Sequence, residues 1–142
     1  MAGYSPRSLI QKLGIKPETR IAILNAPRSY AATLGELPDG VTVTRTARGS
    51  FTFIHFFTKA RTELRAKLPV LCRALRDDGA LWISWPKQAA RVRTDVTEDV
   101  IRDLALPLGL VDVKVCAVDD TWSGLKLVRR RERRTLPVGA RP

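Results

Sequence analysis

The sequence predicts an α/β fold built on one mostly parallel sheet of about six strands with an antiparallel hairpin at its C-terminal end. Three observations carry this. "IAIL" at 21–24, "FTFIHFF" at 51–57 and "ALWISWP" at 80–86 are nearly continuous apolar runs of strand length, as expected of parallel strands covered on both faces. Segments of helical spacing separate them, and a parallel neighbour needs such a crossover. Near the C-terminus, "LVDVKVCAV" and "LKLVRR" flank "DDTWSG", which reads as a β-hairpin around a turn-forming loop.

The elements follow in order. "SPRSLIQKLG" offers Ser5 as N-cap, Pro6 at the first helical position and Gly14 as the stop, with Leu9, Ile10 and Leu13 on one face. After the turn "IKPET" comes the strand ending in Leu24, then "SYAATLGEL" as a weak helix and "LPDG" as a turn. "VTVTRTA" is β-branched and reads as a strand, less buried because threonines alternate with valines. Beyond "FTFIHFF", Lys59 to Asp78 reads as a helix with Leu64, Leu68, Leu71 and Leu75 at helical spacing and Gly79 as its stop. Pro69 should kink or divide it. "TDVTEDVIRDLALPLG" reads as a helix with Asp95 and Glu98 as a capping box and Val100, Ile101, Leu104 and Leu108 facing inward.

Composition narrows the function classes. A chain of 142 residues, 44% hydrophobic, suits one domain with a sizeable core, taken here as residues 1–130. No apolar run approaches the roughly 20 residues that span a bilayer, and "MAGYSPRSLIQKLG" has no signal-peptide core, so a cytoplasmic protein without a membrane partner is expected. Cys72 and Cys116 lie in apolar segments without ligand spacing, which predicts buried free thiols and no metal site. Net charge is +11, concentrated toward the end. Residues 131–142 form a basic tail expected to be disordered.

The order of elements resembles the core of class I methyltransferases, a three-layer Rossmann-like sandwich. The residues that carry it are "RIAIL", "FTFIHFF", "LRDDGALWISW" and "LGLVDVKVCAV" with a returning final strand. The chain is one strand short of the usual seven, in the region of "VTVTRTARGS". More closely, "KLGIKP", "LWISWPK" and "LVDVKVCAVDDTWSGLKLVRR" resemble an uncharacterised bacterial family of small proteins known as a domain of unknown function, over nearly the whole chain outside the tail. That resemblance implies the fold without an activity.

The methyltransferase resemblance implies S-adenosylmethionine, gripped by a glycine-rich loop after the first strand and by an acid about 20 residues on. Here the loop is "NAPRSY": Asn25 and Ala26 carry side chains where glycine would sit, Pro27 lacks an N–H, and Arg28 adds positive charge. Arg45 stands where the acid is expected. An arginine there suits a phosphorylated or otherwise anionic ligand. A loop packed shut by Pro27 and Tyr30 would argue against an enzyme.

Ligands of open α/β sheets bind at the carboxyl ends of the parallel strands. The candidate ligand residues are therefore Asn25, Arg28, Tyr30, Arg45, His55, Trp85 and Lys87. Against this, His55 is the sole histidine, lies between Ile54 and Phe56, and is expected to be a packed core residue with no nucleophile motif beside it. Trp82 and Trp85 are three apart on a strand, so they face opposite ways and are expected to fill the two helix–sheet layers; otherwise Trp85 with Lys87 forms an anion or base-stacking site. Asp119 and Asp120 read as turn formers rather than an acid/base pair.

No catalytic residue and no cofactor are predicted from the residues themselves. The expected function is a non-catalytic or accessory module binding an anionic ligand or partner. The first alternative is a divergent S-adenosylmethionine-dependent methyltransferase. The second is nonspecific nucleic-acid binding by Trp122, Arg129, Arg130, Arg131, Arg133 and Arg134.

Overall fold

A computed structural model describes residues 8–130. The expected cap at Ser5 and Pro6 lies outside them, as do Arg131, Arg133, Arg134 and the rest of the basic tail. Helix α1, Leu9–Leu13, is instead capped by Ser8: its side chain accepts from the Gln11 N–H while the Gln11 side chain returns to the Ser8 N–H. Gly14 ends it in the left-handed conformation, φ 85°.

The strands are β1 Arg20–Leu24, β2 Thr42–Thr44, β3 Phe51–Phe57, β4 Leu75–Pro86, β5 Leu110–Ala117 and β6 Trp122–Arg129. They make one sheet in the order β2-β1-β3-β4-β6-β5, with β2, β1, β3 and β4 parallel and β6 antiparallel to both β4 and β5. The α/β architecture, the parallel core and the closing hairpin are as the sequence predicts. Residues 45–50 form no strand, so β2 is the edge of the sheet.

Helices α2, Tyr30–Leu34, α3, Arg61–Ala74, and α4, Glu98–Ala105, complete the chain. Alternation along the strands sorts side chains into two cores. Ile21, Ile23, Phe53, Phe57 and Trp82 pack with Leu13, Tyr30 and Leu34 of α1 and α2. Ala22, Leu24, Ile54, Phe56, Leu81, Ile83 and Trp85 pack with Leu64, Leu68 and Leu71 of α3 and Ile101 and Ala105 of α4. Trp82 and Trp85 thus fill opposite layers.

Three local expectations are corrected. Helix α3 stops at Ala74, and Gly79 lies in β4 rather than capping a helix. It is needed for close approach: a Cβ there would lie 2.9 Å from Leu75 Cδ1 and 3.1 Å from the Phe51 carbonyl oxygen. The pairing slips at this point, with Phe51 opposite Leu75 but Phe53 opposite Ala80, so the additional residues of β4 are accommodated as a bulge. Pro69 does not divide α3, which runs unbroken through it. The carbonyl left without its i+4 partner belongs to Arg65 on the exposed side. Finally, α4 is capped by Thr97, whose hydroxyl accepts from the Val100 N–H at 3.2 Å. Asp95 serves another helix, accepting from the Arg61 N–H of α3 at 2.7 Å.

Of the two thiols, Cys72 is buried as expected, whereas Cys116 on the edge strand β5 is only half-buried; both are free.

Candidate functional site

Strand β1 ends where its apolar run ends, at Leu24, and the next residue turns the chain sharply. Asn25 has φ 61°, in the left-handed region. That region penalises side chains with a Cβ, least of all asparagine and aspartate, so Asn25 performs the turn that a glycine would otherwise make. Its Nδ2 donates to Glu63 Oε2 at 3.2 Å, and Glu63 Oε1 accepts from Thr58 Oγ1 at 2.6 Å. The loop after β1 is thereby tied to the end of β3 and the first turn of α3. The loop after β3 is tied in turn to the segment after β4, since Thr94 Oγ1 donates to the Lys59 carbonyl at 2.7 Å.

The loop is not packed shut. Between the ends of β1 and β2 and helix α2 lies a cavity of about 510 Å³, within the roughly 300–1,000 Å³ of ordinary ligand sites. Ile23, Leu34, Leu37 and Val43 form an apolar floor, while Asn25, Pro27, Arg28, Tyr30 and Arg45 complete the lining. No lining residue is acidic. Arg28 and Arg45 are both exposed.

Four of the sequence-predicted ligand residues, Asn25, Arg28, Tyr30 and Arg45, therefore meet at one cavity, and three do not. His55 is fully buried beneath Tyr30. Its Nδ1 is 2.5 Å from the Tyr30 hydroxyl, its Nε2 is 2.7 Å from Ser84 Oγ, and its ring stacks on Phe57 at 4.2 Å between centroids. Burial lowers its pKa to about 3 and pushes that of Tyr30 well above the usual phenol value. The imidazole is thus neutral and the phenol protonated, so one ring nitrogen donates to its hydroxyl partner and the other accepts, and the two hydroxyls satisfy the ring in either tautomer. Both ring nitrogens are engaged, and His55 is packed in the core as its apolar setting predicts. Trp85 belongs to the opposite layer. Lys87 follows β4 and contributes its backbone N–H to the Thr121 carbonyl at 2.7 Å, away from the cavity lining.

The proposed nucleic-acid residues are also redistributed. Trp122 is the first residue of β6 and stands edge-on to Phe57 at 5.2 Å, half-buried against the α1–α2 layer. The Arg129 guanidinium is committed to the C-terminal end of α3: Nη2 donates to the Cys72 and Leu75 carbonyls, both at 2.6 Å. Its Nε makes no hydrogen bond and sits 3.4 Å from Asp77 Oδ1 as an ion pair. The Leu75 N–H already closes the helix on the Cys72 carbonyl, and the half-buried arginine adds donors at this end of the helix. Arg130 likewise donates to the Leu106 carbonyl at 2.9 Å.

Glu63 escaped the sequence reading, because only the folded chain brings a residue 38 positions away to Asn25. Among the described residues no cluster of three or more His, Cys, Asp or Glu side chains is placed to hold a metal ion, and no helix is long and apolar enough to cross a membrane.

No family model matches the sequence, and no curated protein does. Solved structures do match the architecture. Ribosomal protein L11 methylase from Lactobacillus delbrueckii subsp. bulgaricus is 15% identical, with 87% of this chain and 76% of that one covered at a TM-score of 0.54. Precorrin-6y C5,15-methyltransferase from Geobacter metallireducens GS-15 is 11% identical, with 85% of each chain covered at 0.56. Magnesium protoporphyrin IX methyltransferase from Synechocystis PCC 6803, solved with bound S-adenosylmethionine, is 11% identical, with 85% of this chain and 74% of that one covered at 0.54. At these identities the likeness is one of fold, and the chain has the Rossmann-like α/β fold of S-adenosylmethionine-dependent methyltransferases.

Proposed function

We propose that the cavity beyond β1 holds a nucleoside cofactor of the S-adenosylmethionine type and that the chain is a divergent methyltransferase. The observation that carries the reading is the open loop: Asn25 takes the left-handed turn, φ 61°, without glycine, and leaves about 510 Å³ at the strand ends where this fold binds ligands. The residues fit the group in size and in kind. Ile23, Leu37 and Val43 offer apolar surface for a base, Arg28 a guanidinium for the amino-acid carboxylate, and Arg45 donors for ribose oxygens. The bound cofactor would supply an activated methyl group; the chain's own residues bind and orient it.

With two arginines and no carboxylate in the lining, the cavity disfavours the sulfonium charge, so S-adenosylhomocysteine should bind at least as tightly as S-adenosylmethionine. Calorimetry with both ligands, beside NADPH and ATP, tests the proposal. Binding of neither adenosyl ligand at millimolar concentration would remove it.

A second reading, an accessory module binding an anionic ligand without group transfer, is favoured by Arg45 itself, which sits beyond β2 where this cofactor usually meets an acid. Tight NADPH or ATP binding with no adenosyl binding would select it, and native mass spectrometry would identify any copurified ligand.

A further inference from the structure

Lys114 of β5 and Lys126 of β6 are direct cross-strand partners in the antiparallel hairpin. Like charges so placed repel, at a cost in the range that opposite charges would gain. On its other side Lys126 pairs with Trp82 of β4, whose indole N–H donates to the Leu13 carbonyl of α1 at 2.9 Å; both lysines therefore lie on the α1 face of the sheet. Lys114 Nζ donates to the Lys12 carbonyl at 3.1 Å, which anchors it beside α1. Lys12 in the last turn of α1, and Lys16 just beyond it, bring two further ammonium groups. Burial first, then Lys114 and Lys16, lower the Lys126 pKa, and Lys114 and Lys12 both act on the neighbouring Cys116 thiol. The ion pairs among the described residues involve Arg102 and Arg129, and none includes these lysines.

Strand β6 runs antiparallel to β4, so Arg129 leaves the sheet at the amino end of its parallel strands. The Lys16 turn, which leads into β1, lies at the same end. The sequence then continues into Arg131, Arg133 and Arg134. A repulsive cluster with no ion pair among the described residues is a local cost that an external polyanion would offset. Lysine is depleted at the centre of protein–protein interfaces but is an ordinary partner of phosphate backbones, where each contact releases counterions.

We propose that Lys12, Lys16, Lys114 and Lys126 form a face that binds the phosphodiester backbone of nucleic acid. This face is distinct from the cavity, and its test is independent of any cofactor.

The experiment is fluorescence anisotropy of the full chain with labelled single-stranded RNA and with duplex DNA of about 20 units, from about 50 to about 200 mM salt. Wild type is compared with K12Q/K16Q, with K114Q, and with R131Q/R133Q/R134Q, all full length. K12Q/K16Q removes two charges and none of the side-chain hydrogen bonds described above, so it separates binding from folding. The expected result is salt-dependent binding whose slope flattens by about 0.9 per lysine lost on duplex DNA, or about 0.7 on single strands. The tighter of the two at equal salt is the one the face prefers. Unchanged slopes in both lysine variants, with binding lost only in the arginine variant, would overturn the proposal in favour of the tail alone; no binding at low salt would overturn it outright.

Discussion

Mild acidification, from pH 7.5 to 5, should destabilise this protein chiefly through one side chain. His55 is fully buried, hydrogen-bonded at both nitrogens and stacked on Phe57, and burial holds its pKa near 3 against an ordinary value of 6.5. Protonation would also make both ring nitrogens donors, so that the Tyr30 and Ser84 hydroxyls would both have to accept. Because the folded pKa lies below the unfolded one, the unfolded chain binds the proton first. Stability is complete above about pH 6.5 and falls as pH drops toward 3, by at most about 1.4 kcal/mol per pH unit; below 3 both states are protonated and the loss stops growing. Between pH 7.5 and 5 the integrated loss is about 2 kcal/mol, or roughly 6 °C in Tm for a domain of this size.

The assay is urea unfolding of wild type and His55→Gln at both pH values. The amide of glutamine can still face Tyr30 and Ser84 but does not titrate, so the difference of differences isolates His55. Since the chain has one histidine, NMR titration of its ring reports the same group without ambiguity. Equal pH dependence in the two proteins, or a ring pKa near 6.5, would refute the argument.

Other substitutions test the site and its supports. Arg45→Glu restores an acid beyond β2 and should raise adenosyl affinity while weakening binding of NADPH or ATP by tenfold or so, read by calorimetry. Asn25→Val places a β-branched residue at φ 61° and should cost about 1–3 kcal/mol in urea unfolding, whereas Asn25→Gly should be tolerated apart from the lost bond to Glu63. Arg129→Ala removes the guanidinium from the Leu75 carbonyl and leaves Cys72 only its bond from the Leu75 N–H, and should cost about 1–3 kcal/mol. A loss confined to nucleic-acid binding, with stability unchanged, would contradict that structural role.

Much of the fold was legible because its signals are local. "IAIL", "FTFIHFF" and "ALWISWP" bury side chains on both faces and need no distant context to be recognised as strands. The two-residue period sent Trp82 and Trp85 to opposite layers, and the apolar setting of His55 pointed to the core where it is found. Readings failed where one residue had two possible employers. Gly79 could end a helix or permit close strand approach, and Phe51 and Leu75, brought beside it by the sheet, decided for the second. Asp95 had the spacing of a cap for α4, but Thr97 takes that place and Asp95 accepts from the Arg61 N–H of α3. Arg129, counted with a basic tail, was claimed by the open carbonyls of a helix more than 50 residues earlier.

The site divides the same way. Sequence alone determined that a strand ends at Leu24 in a glycine-free loop, that Arg28 and Arg45 bring positive charge beside it, and that no acid stands at the usual place. Those are properties of residue type and order. Whether the loop closed or opened depended on one backbone dihedral at Asn25 and on Glu63 and Thr58 holding it from another part of the chain. Whether Lys114 met Lys126 depended on the register of the hairpin. Both are long-range pairings, and local periodicity carries no information about which distant surfaces will meet.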